Sequence, residues 1–339
     1  MSHQTEVCSF AVLTESIAEV LERAGASASV AQVIAHNCAS CERDGALSHG
    51  VFRVPGYVKS LASGWANGQA QPIVEQTGAS FLRVDAANGF AQVALDAAMP
   101  VALQALSETG AVVIAIRDSH HHSALWPDLE PFTDAGYVAM TMVAGGASVK
   151  PLGADRMMVG TNPFGFGTPV AGSHPFIMDF ATSTMSHGDL QLAARAGTEV
   201  PLGTGLDGEG NKTTDAQAIL DADGLLPFGG HKGAALSLMI EMLAAGLTGG
   251  SFSYREDLVF AEHSEDGGTS RTGQLLIAFD PERGGSAHYA DRIREFIDAL
   301  RESGVERLPA DVRYAQRETS MAHGIPVTSE IRALIENTQ

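Results

Sequence analysis

The sequence predicts an α/β protein with helical regions at both ends of the chain. Apolar residues recur at helical spacing through the first part of the chain and again near its end. Between these regions, short runs of β-branched and aromatic residues alternate with further helical patterns, as in α/β sheets. At 339 residues the chain is longer than a single core usually fills, so we expect two lobes.

The individual elements follow from local signals. A first helix is predicted at 13–25, with a capping box formed by Ser16 and Glu19. A second helix ends at Gly45, because glycine readily takes the left-handed conformation that closes helices. Further helices are predicted at 57–64, 91–106, 232–247, 290–300 and 329–337, and strands at 81–85 (followed by a turn at 88–89), 111–116, 137–143, 176–180 and 274–279. The helix at 232–247 is apolar on nearly all sides, so we expect it to be buried.

The composition argues against several classes of binding partner. The formal net charge of −19 argues against binding to nucleic acid or to an anionic membrane, since both need a cationic surface. No run approaches the ~20 apolar residues of a membrane helix, and the first residues lack the pattern of a signal peptide. Three cysteines cannot all pair. We therefore expect a cytoplasmic protein.

The segment around Ser48, His49 and Arg53 contains the candidate chemistry. Ser48-His49-Gly50 follows the predicted end of the second helix, and Arg53 lies four residues beyond the histidine. Histidine can donate a proton near neutral pH, and a fixed cation can hold a small carboxylate-bearing substrate. These residues suit the reduction of such a substrate, but they lack a second carboxylate and a cofactor site.

Asp189 could supply the missing carboxylate. The segment before it runs from a predicted strand into a helix start, where the hydroxyls of Thr182, Ser183 and Ser186 could equally be helix caps. A carboxylate near His49 would orient the ring and favour its charged form. The sequence alone does not show that the two residues meet.

Two conspicuous motifs are better explained as structure. Cys38-x-x-Cys41 lies inside a predicted helix without a second ligand pair at a matching spacing, so we expect core residues and not zinc ligands or a redox dithiol. The segment 203–208 matches GxGxxG, but no strand precedes it and no helix follows. If the chain binds a nicotinamide cofactor, we therefore expect a site without the Rossmann turn.

Three adjacent histidines, His120, His121 and His122, follow a predicted strand. Side chains alternate in direction along an extended segment, so three neighbours cannot all face one metal ion. A metal-dependent hydrolase would need His187 and a nearby aspartate as further ligands, and it remains an alternative. We expect no metal here and interpret the segment as a loop that packs against a ligand.

Two loops with cations could bind an anion. The segment 228–233 places glycines and Lys232 at the start of a predicted helix, where free backbone N–H groups can hold an anion, with a solvent-capped turn as the alternative. Arg307 and Arg313 flank a proline-containing loop. Arginines can hold a phosphate through paired hydrogen bonds, although a solvated loop is the ordinary case.

Together these motifs resemble those of the type-2 malate/L-lactate dehydrogenase family. The matching residues are Ser48-His49-Gly50 with Arg53, the segments 160–163, 179–183 and 230–233, and Arg307-Leu-Pro, all in the order of the family. The family implies a non-Rossmann NAD(P)H-binding fold, a mixed sheet flanked by helices with a helical lobe built from both termini. It also implies a homodimer, a lobe of residues 1–75 and 290–339 that carries the Ser48 site, and a cofactor-binding domain at 76–289.

The resemblance further implies the roles of individual residues. Ser48, His49 and Asp189 would be catalytic, with His49 as the proton donor. Arg53 would anchor the substrate carboxylate, and His187 and Gly188 would contact the substrate. NADPH, with NADH as the alternative, would be bound by His121, His122, Ser123, Ala124, Leu125, Asp179, Phe180, Ala181, Gly230, His231, Lys232, Arg307 and Arg313.

Three segments, at 35–45, 120–128 and 226–233, resemble the branch of the family that reduces cyclic 2-imino acids. We therefore expect reduction of Δ1-piperideine-2-carboxylate to L-pipecolate and of Δ1-pyrroline-2-carboxylate to L-proline. The alternative is an NAD(P)-dependent malate- or lactate-type dehydrogenase of 2-hydroxy acids. A non-catalytic binding protein would leave Ser48, His49 and Asp189 without a function.

The chain departs from the family pattern at three places. Ala144-Gly145 stands where relatives usually carry Asn-Ser, His122 stands where phenylalanine is commoner, and 310–312 replaces a Gly-Glu-Arg-like sequence. The first change removes a polar side chain near the expected substrate pocket, so the preferred ring size stays open.

Overall fold

The computed structural model describes residues 6–151, 153–262, 265, 267–285 and 287–336. Residues 1–5 and 337–339, at the two ends of the predicted helical lobe, lie outside this range. The helices are α1 Phe10–Arg23, α2 Ala28–Arg43, α3 Val54–Ala62, α4 Ala91–Thr109, α5 Trp126–Asp134, α6 His187–Ala196, α7 Ala216–Asp221, α8 His231–Ile240, α9 Ser253–Glu262, α10 Tyr289–Glu302, α11 Asp311–His323 and α12 Ser329–Glu336. The strands are β1 Val7–Cys8, β2 Ile73–Gly78, β3 Phe81–Phe90, β4 Ala111–His120, β5 Val138–Val143, β6 Phe164–Thr168, β7 Phe176–Phe180, β8 Gly205–Leu206, β9 Lys212–Thr213, β10 Arg271–Phe279 and β11 Ile325–Pro326.

One large mixed sheet organises the fold. Its strands lie in the order β2-β3-β4-β10-β5-β6-β7. Strands β3 and β4 are parallel and are joined by α4, whereas the other neighbouring pairs are antiparallel. Apolar residues of α4 and α5 cover one face, and the helical segment around Ala244 covers the other. The predicted α/β class and mixed sheet flanked by helices are confirmed.

Helices from the two ends of the chain share a second core. Ile17 of α1, Ile34 of α2 and Tyr57 of α3 are fully or almost fully buried together with Ile325 and Ile331 near the C-terminus. The short strands β1 and β11 pair antiparallel and join these ends. The boundaries 1–75 with 290–339 and 76–289 stay a prediction.

The predicted capping box at Ser16 is wrong. Helix α1 begins at Phe10, with Ser9 as its N-cap, because the Ser9 side chain accepts a hydrogen bond from the Val12 N–H at 3.2 Å. Ser16 is buried inside the helix. The second helix ends as predicted, with Gly45 at a φ of +78° directly after its C-cap.

Two other segments differ from their patterns. Strand β3 continues through the predicted turn at 88–89, because Ala87 and Asn88 adopt positive φ values and form an irregularity within the strand. The predicted helix at 232–247 consists of α8 followed by a π-helical segment, Glu241–Leu247. One side of it is exposed, with Met242 at 66% relative accessibility, so the expectation of complete burial is wrong.

The two rejected motifs have structural roles. Cys38 and Cys41 are buried in α2 and unpaired, and burial raises the pKa of both thiols, that of Cys38 to about 12. They are core residues, as predicted. Gly205, within the GxGxxG match, lies in the β8–β9 hairpin and not in a strand-turn-helix unit.

Within the described residues, the helices are too short or too polar to cross a membrane.

Candidate active site

Two 3₁₀ turns after α2 hold the Ser48 segment in place. They span Leu47–His49 and Val51–Arg53. The buried carboxylate of Glu42 accepts a hydrogen bond from the Val51 N–H at 2.9 Å, and burial raises the pKa of this carboxyl. A Cβ atom at Gly50 would collide with the same carboxylate, so glycine is required for this close approach. Glu42 thereby anchors the turn that carries His49 and Arg53.

His49 is enclosed and uncharged. Its Nδ1 atom lies 2.9 Å from Ser48 Oγ. Burial, with a smaller contribution from the Arg53 cation, lowers the pKa of His49 to about 3, while Asp189 acts in the opposite direction. The unliganded protein therefore presents a neutral imidazole, held by the neighbouring serine.

Arg53 is a half-buried cation with no acidic partner among the described residues. Its Nε atom is buried and makes no hydrogen bond, and within the described part of the chain no ion pair joins its guanidinium to an acidic side chain. Burial lowers the pKa of Arg53, although Asp189 partly offsets this effect. Because an unpaired charge partly removed from water is costly, this arrangement favours an anionic ligand at Arg53.

The first turn of α6 closes the site from the other side. Ser186 is the N-cap of α6, accepting from the Asp189 N–H at 3.0 Å and donating to the Asp189 carboxylate at 2.7 Å. Asp189 acts electrostatically on both His49 and Arg53. Among the described contacts, Asp189 bonds to Ser186 and His49 bonds to Ser48. No hydrogen bond among them joins Asp189 to His49, so the two residues interact through charge.

Gly188 and His187 also border Arg53. A Cβ atom at Gly188 would collide with Nη2 of Arg53, so the absence of a side chain at 188 leaves room for the guanidinium. Burial and the charge of Arg53 lower the pKa of His187, while Asp223 raises it. The structure thus gathers all the predicted catalytic and substrate-binding residues around Arg53.

The side chains of the three adjacent histidines contact three different sets of residues. The ring of His120 lies between Asn88 Oδ1 at 3.1 Å and Thr269 Oγ1 at 2.9 Å. His121 Nε2 lies 3.5 Å from the buried Asp128 carboxylate. His122 contacts Arg53, with 3.4 Å between its Nε2 and Nη1 of the guanidinium. Their divergence agrees with the prediction from an extended segment, and no cluster with metal-ligand composition occurs among the described residues.

Part of the expected cofactor site is assembled around Asp179. Its carboxylate accepts hydrogen bonds from the N–H groups of Leu125 at 2.7 Å and Trp126 at 3.1 Å, at the start of α5. Burial raises the pKa of Asp179, and Arg313 acts in the opposite direction. The guanidinium of Arg313 stacks on Trp126 at 4.7 Å from the ring centroid, and its Nε is buried without a partner.

The loop at 228–233 lies beside the segment that follows Asp179. The Phe228 N–H donates to the Thr182 carbonyl at 3.0 Å, and the Phe228 ring packs against Phe180. Gly230, His231 and Lys232 are exposed at the start of α8. Among the remaining predicted cofactor residues, Ser123 and Ala124 are buried, Ala181 is half-buried, and Arg307 is exposed in the loop before α11.

Sequence reasoning missed the buried Asn162, which joins two segments near the site. Asn162 is fully buried, accepts from the Gly145 N–H at 3.1 Å, and donates to the Glu241 carboxylate at 2.9 Å. It thereby ties the 144–145 turn to the π-helical segment. The only signal was its place in the 160–163 motif, since a single asparagine has no periodicity that marks it as buried.

Comparison with known proteins gives a consistent result. The family model described as malate/L-lactate dehydrogenase matches residues 8–336. The Delta(1)-pyrroline-2-carboxylate/Delta(1)-piperideine-2-carboxylate reductase of Pseudomonas syringae pv. tomato is 50% identical, covering 95% of this chain and 93% of its own length. A protein of the same name from Pseudomonas putida is 48% identical over 95% of this chain and 93% of its own. The crystal structure of delta1-piperideine-2-carboxylate reductase from Pseudomonas syringae pvar. tomato superposes with a TM-score of 0.94 at 50% identity, covering 98% of this chain and 99% of that one.

Proposed function

Because the chain belongs to the malate/L-lactate dehydrogenase family, we propose that its Arg53 site binds and reduces cyclic 2-imino acids. The substrates are Δ1-piperideine-2-carboxylate, giving L-pipecolate, and Δ1-pyrroline-2-carboxylate, giving L-proline. The observation that carries this assignment is the half-buried guanidinium of Arg53, whose buried Nε lacks a hydrogen-bond partner, beside the neutral ring of His49. The relatives at 50% and 48% identity are reductases named for these two compounds. Dehydrogenation of 2-hydroxy acids on the same fold is the less supported alternative.

Each residue of the site has a separate role in the reduction of a C=N bond. Arg53 binds the carboxylate and fixes the ring with its C2 atom accessible. Ser48 engages Nδ1 of His49, which leaves Nε2 to exchange the proton that the ring nitrogen gains. The carboxylate on Arg53 offsets the charge that lowers the pKa of His49, so substrate binding favours protonation of that ring. Asp189 adds to the same effect, and His187 and Gly188 border the ring.

The cofactor is a nicotinamide dinucleotide, which supplies the hydride when bound. The chain fits this group at three places: the unpartnered Nε of Arg313, the unpartnered indole N–H of Trp126, and the exposed glycine turn at Gly230. His121, the 123–125 and 179–181 segments, His231, Lys232 and Arg307 complete this set. We assign NADPH as the preferred form, since Arg307 and Arg313 could pair with its additional phosphate.

The substrate assignment predicts a clear order of activities. Purified protein is expected to oxidise NADPH with either cyclic imine, and to oxidise it far more slowly with pyruvate or oxaloacetate. The measurement is the loss of NADPH absorbance, repeated with NADH to rank the cofactors. Turnover with the keto acids but not with the imines would assign the chain to the hydroxy-acid dehydrogenases instead.

We also propose that the protein is a cytoplasmic homodimer joined through the exposed side of α8 and the π-helical segment. Leu238, Met239, Met242 and Leu247 are large apolar side chains with 38–66% relative accessibility on this side. Apolar patches of this kind mark protein interfaces. The buried unpaired thiols of Cys38 and Cys41 agree with a reducing compartment.

The dimer predicts a mass in solution of twice the 35.4 kDa of the chain. A Met242→Glu substitution is expected to shift the protein toward monomer, because it places a charge within the apolar surface. Light scattering after gel filtration measures both. The matched control is Met321→Glu, on an equally exposed methionine of α11. A monomeric parent protein would contradict the proposal.

A further inference from the structure

His122 lies at the substrate end of the site. The resemblance assigned it to cofactor binding, but its Nε2 lies 3.4 Å from Nη1 of Arg53. Its ring forms a T-shaped pair with the fully buried Tyr57, with 5.6 Å between centroids and an interplanar angle of 88°. A Cβ atom at Gly56 would lie 3.1 Å from the same Nε2 atom, so the ring packs directly on the α3 backbone.

The chemistry of this contact fixes which atom donates. A guanidinium has only donors, so Nη1 of Arg53 donates and Nε2 of His122 accepts. The ring must then be neutral and must carry its proton on Nδ1. Burial and the Arg53 charge lower the pKa of His122 well below its ordinary value, which agrees with a neutral ring.

His122 is the side-chain hydrogen-bond acceptor that the described structure provides for this guanidinium. The other contacts are less directional: the Phe52 ring makes a cation–π contact at 5.4 Å from the guanidinium carbon, Asp189 acts through charge, and Gly188 leaves space for Nη2. Its Nε has no partner. Rotation of the guanidinium within this space is therefore opposed by a single directional contact.

We propose that His122 is a positioning residue that orients Arg53 for the substrate carboxylate. It acts through Arg53 and touches neither the hydride nor the proton that is transferred. The inference rests on the proposed role of Arg53 as the carboxylate anchor. It gives His122 a part in substrate affinity, whereas the resemblance gave it a part in cofactor affinity.

Two matched substitutions separate the hydrogen bond from the rest of the side chain. In His122→Gln the amide oxygen can occupy the position of Nε2, so an acceptor for Arg53 remains. In His122→Asn the oxygen lies near the position of Nδ1, out of reach of Nη1. His122→Phe keeps the ring packing against Tyr57 without any acceptor.

The expected result is a change in KM for the imine without a matching change in kcat. The Asn and Phe variants should raise this KM by about tenfold, the scale of one hydrogen bond to a charged group, and change kcat by less than about twofold. The Gln variant should retain most of the affinity. KM for NADPH should stay the same in all three. His36→Asn, on the exposed side of α2, is the control for histidine replacement itself.

Equilibrium binding of picolinate, a planar ring with a carboxylate next to its nitrogen, provides a second readout that does not depend on turnover. Its Kd should follow the same order, with Gln close to the parent and Asn about tenfold weaker. Equal effects of Gln and Asn, or a raised KM for NADPH, would overturn the role of His122. If the Phe variant does not fold, the Gln and Asn pair still decides. A parent protein that neither reduces imines nor binds picolinate would instead refute the proposed function.

Discussion

Replacement of Arg53 by methionine is expected to lower kcat/KM for cyclic 2-imino acids by about three orders of magnitude. Removing one partner of a buried, hydrogen-bonded charge pair costs about 2–5 kcal/mol or more, and each 1.4 kcal/mol corresponds to a factor of ten. Among the described residues no acidic side chain pairs with Arg53, so under the proposed function the substrate carboxylate supplies the opposite charge. Most of the loss should appear in KM, because the group removed binds the carboxylate and not the C=N bond.

Two further variants test the geometry of this anchor. Arg53→Lys keeps the charge but loses the paired hydrogen bonds, so its defect should lie between those of the parent and Arg53→Met. Gly188→Ala should give a smaller defect of the same kind, since a Cβ atom at 188 displaces Nη2. Steady-state kinetics with circular dichroism as a folding control measures all three. An unchanged KM for the imine in Arg53→Met would show that Arg53 does not bind the substrate carboxylate.

Replacement of His49 by glutamine is expected to lower kcat by about 10²–10⁴-fold, the usual contribution of a positioned proton donor. Because Arg53 remains, picolinate should bind nearly as tightly as to the parent protein. Ser48→Ala should give a milder loss of kcat, since Ser48 holds Nδ1 but does not exchange the substrate proton. Pre-steady-state rates of NADPH oxidation distinguish the proton step from product release.

The charges around His49 give this prediction an independent check. The Arg53 cation helps to hold the pKa of His49 at about 3, so in Arg53→Met the His49 pKa should rise, although burial keeps it below its ordinary value. Removing Asp189 in Asp189→Asn should lower it, because that carboxylate favours the charged ring. Titration of the His49 ring nitrogens by nuclear magnetic resonance measures the pKa in both variants, so it tests the expected rise and the expected fall. If neither change shifted the His49 pKa, then neither Arg53 nor Asp189 would influence the charge of this ring.

Local patterns predicted the type of most elements but not all their boundaries. The strand at 176–180 was predicted with its observed bounds, because a short apolar run lies there between polar, turn-forming segments. The strand from Phe81 was predicted too short, since an Asn-Gly pair ordinarily ends a strand. Here Ala87 and Asn88 take positive φ values within β3, and Asp118 of the neighbouring strand accepts from the Asn88 N–H at 2.9 Å. Such a tertiary contact leaves no local signal.

The site was predictable where its residues are close in sequence. Ser48, His49 and Arg53 occupy consecutive turns, so their proximity follows from their spacing. The approach of α6 to these turns depends on the packing of segments more than a hundred residues apart, which no periodicity encodes. The supports of the site were missed for the same reason. Glu42 is an ordinary helical glutamate by sequence, and only the fold reveals that its carboxylate holds the Val51 amide.

The unpaired guanidinium also affects the folding equilibrium of the free protein. Burial lowers the pKa of Arg53, which means that the folded state disfavours its charge, and so the charged residue destabilises the unliganded fold at neutral pH. Arg53→Met should consequently melt at a higher temperature than the parent protein while losing activity. Carboxylate ligands should raise the melting temperature of the parent but not of this variant. The proposed substrate site would thus lower the stability of the free protein in order to bind its ligand.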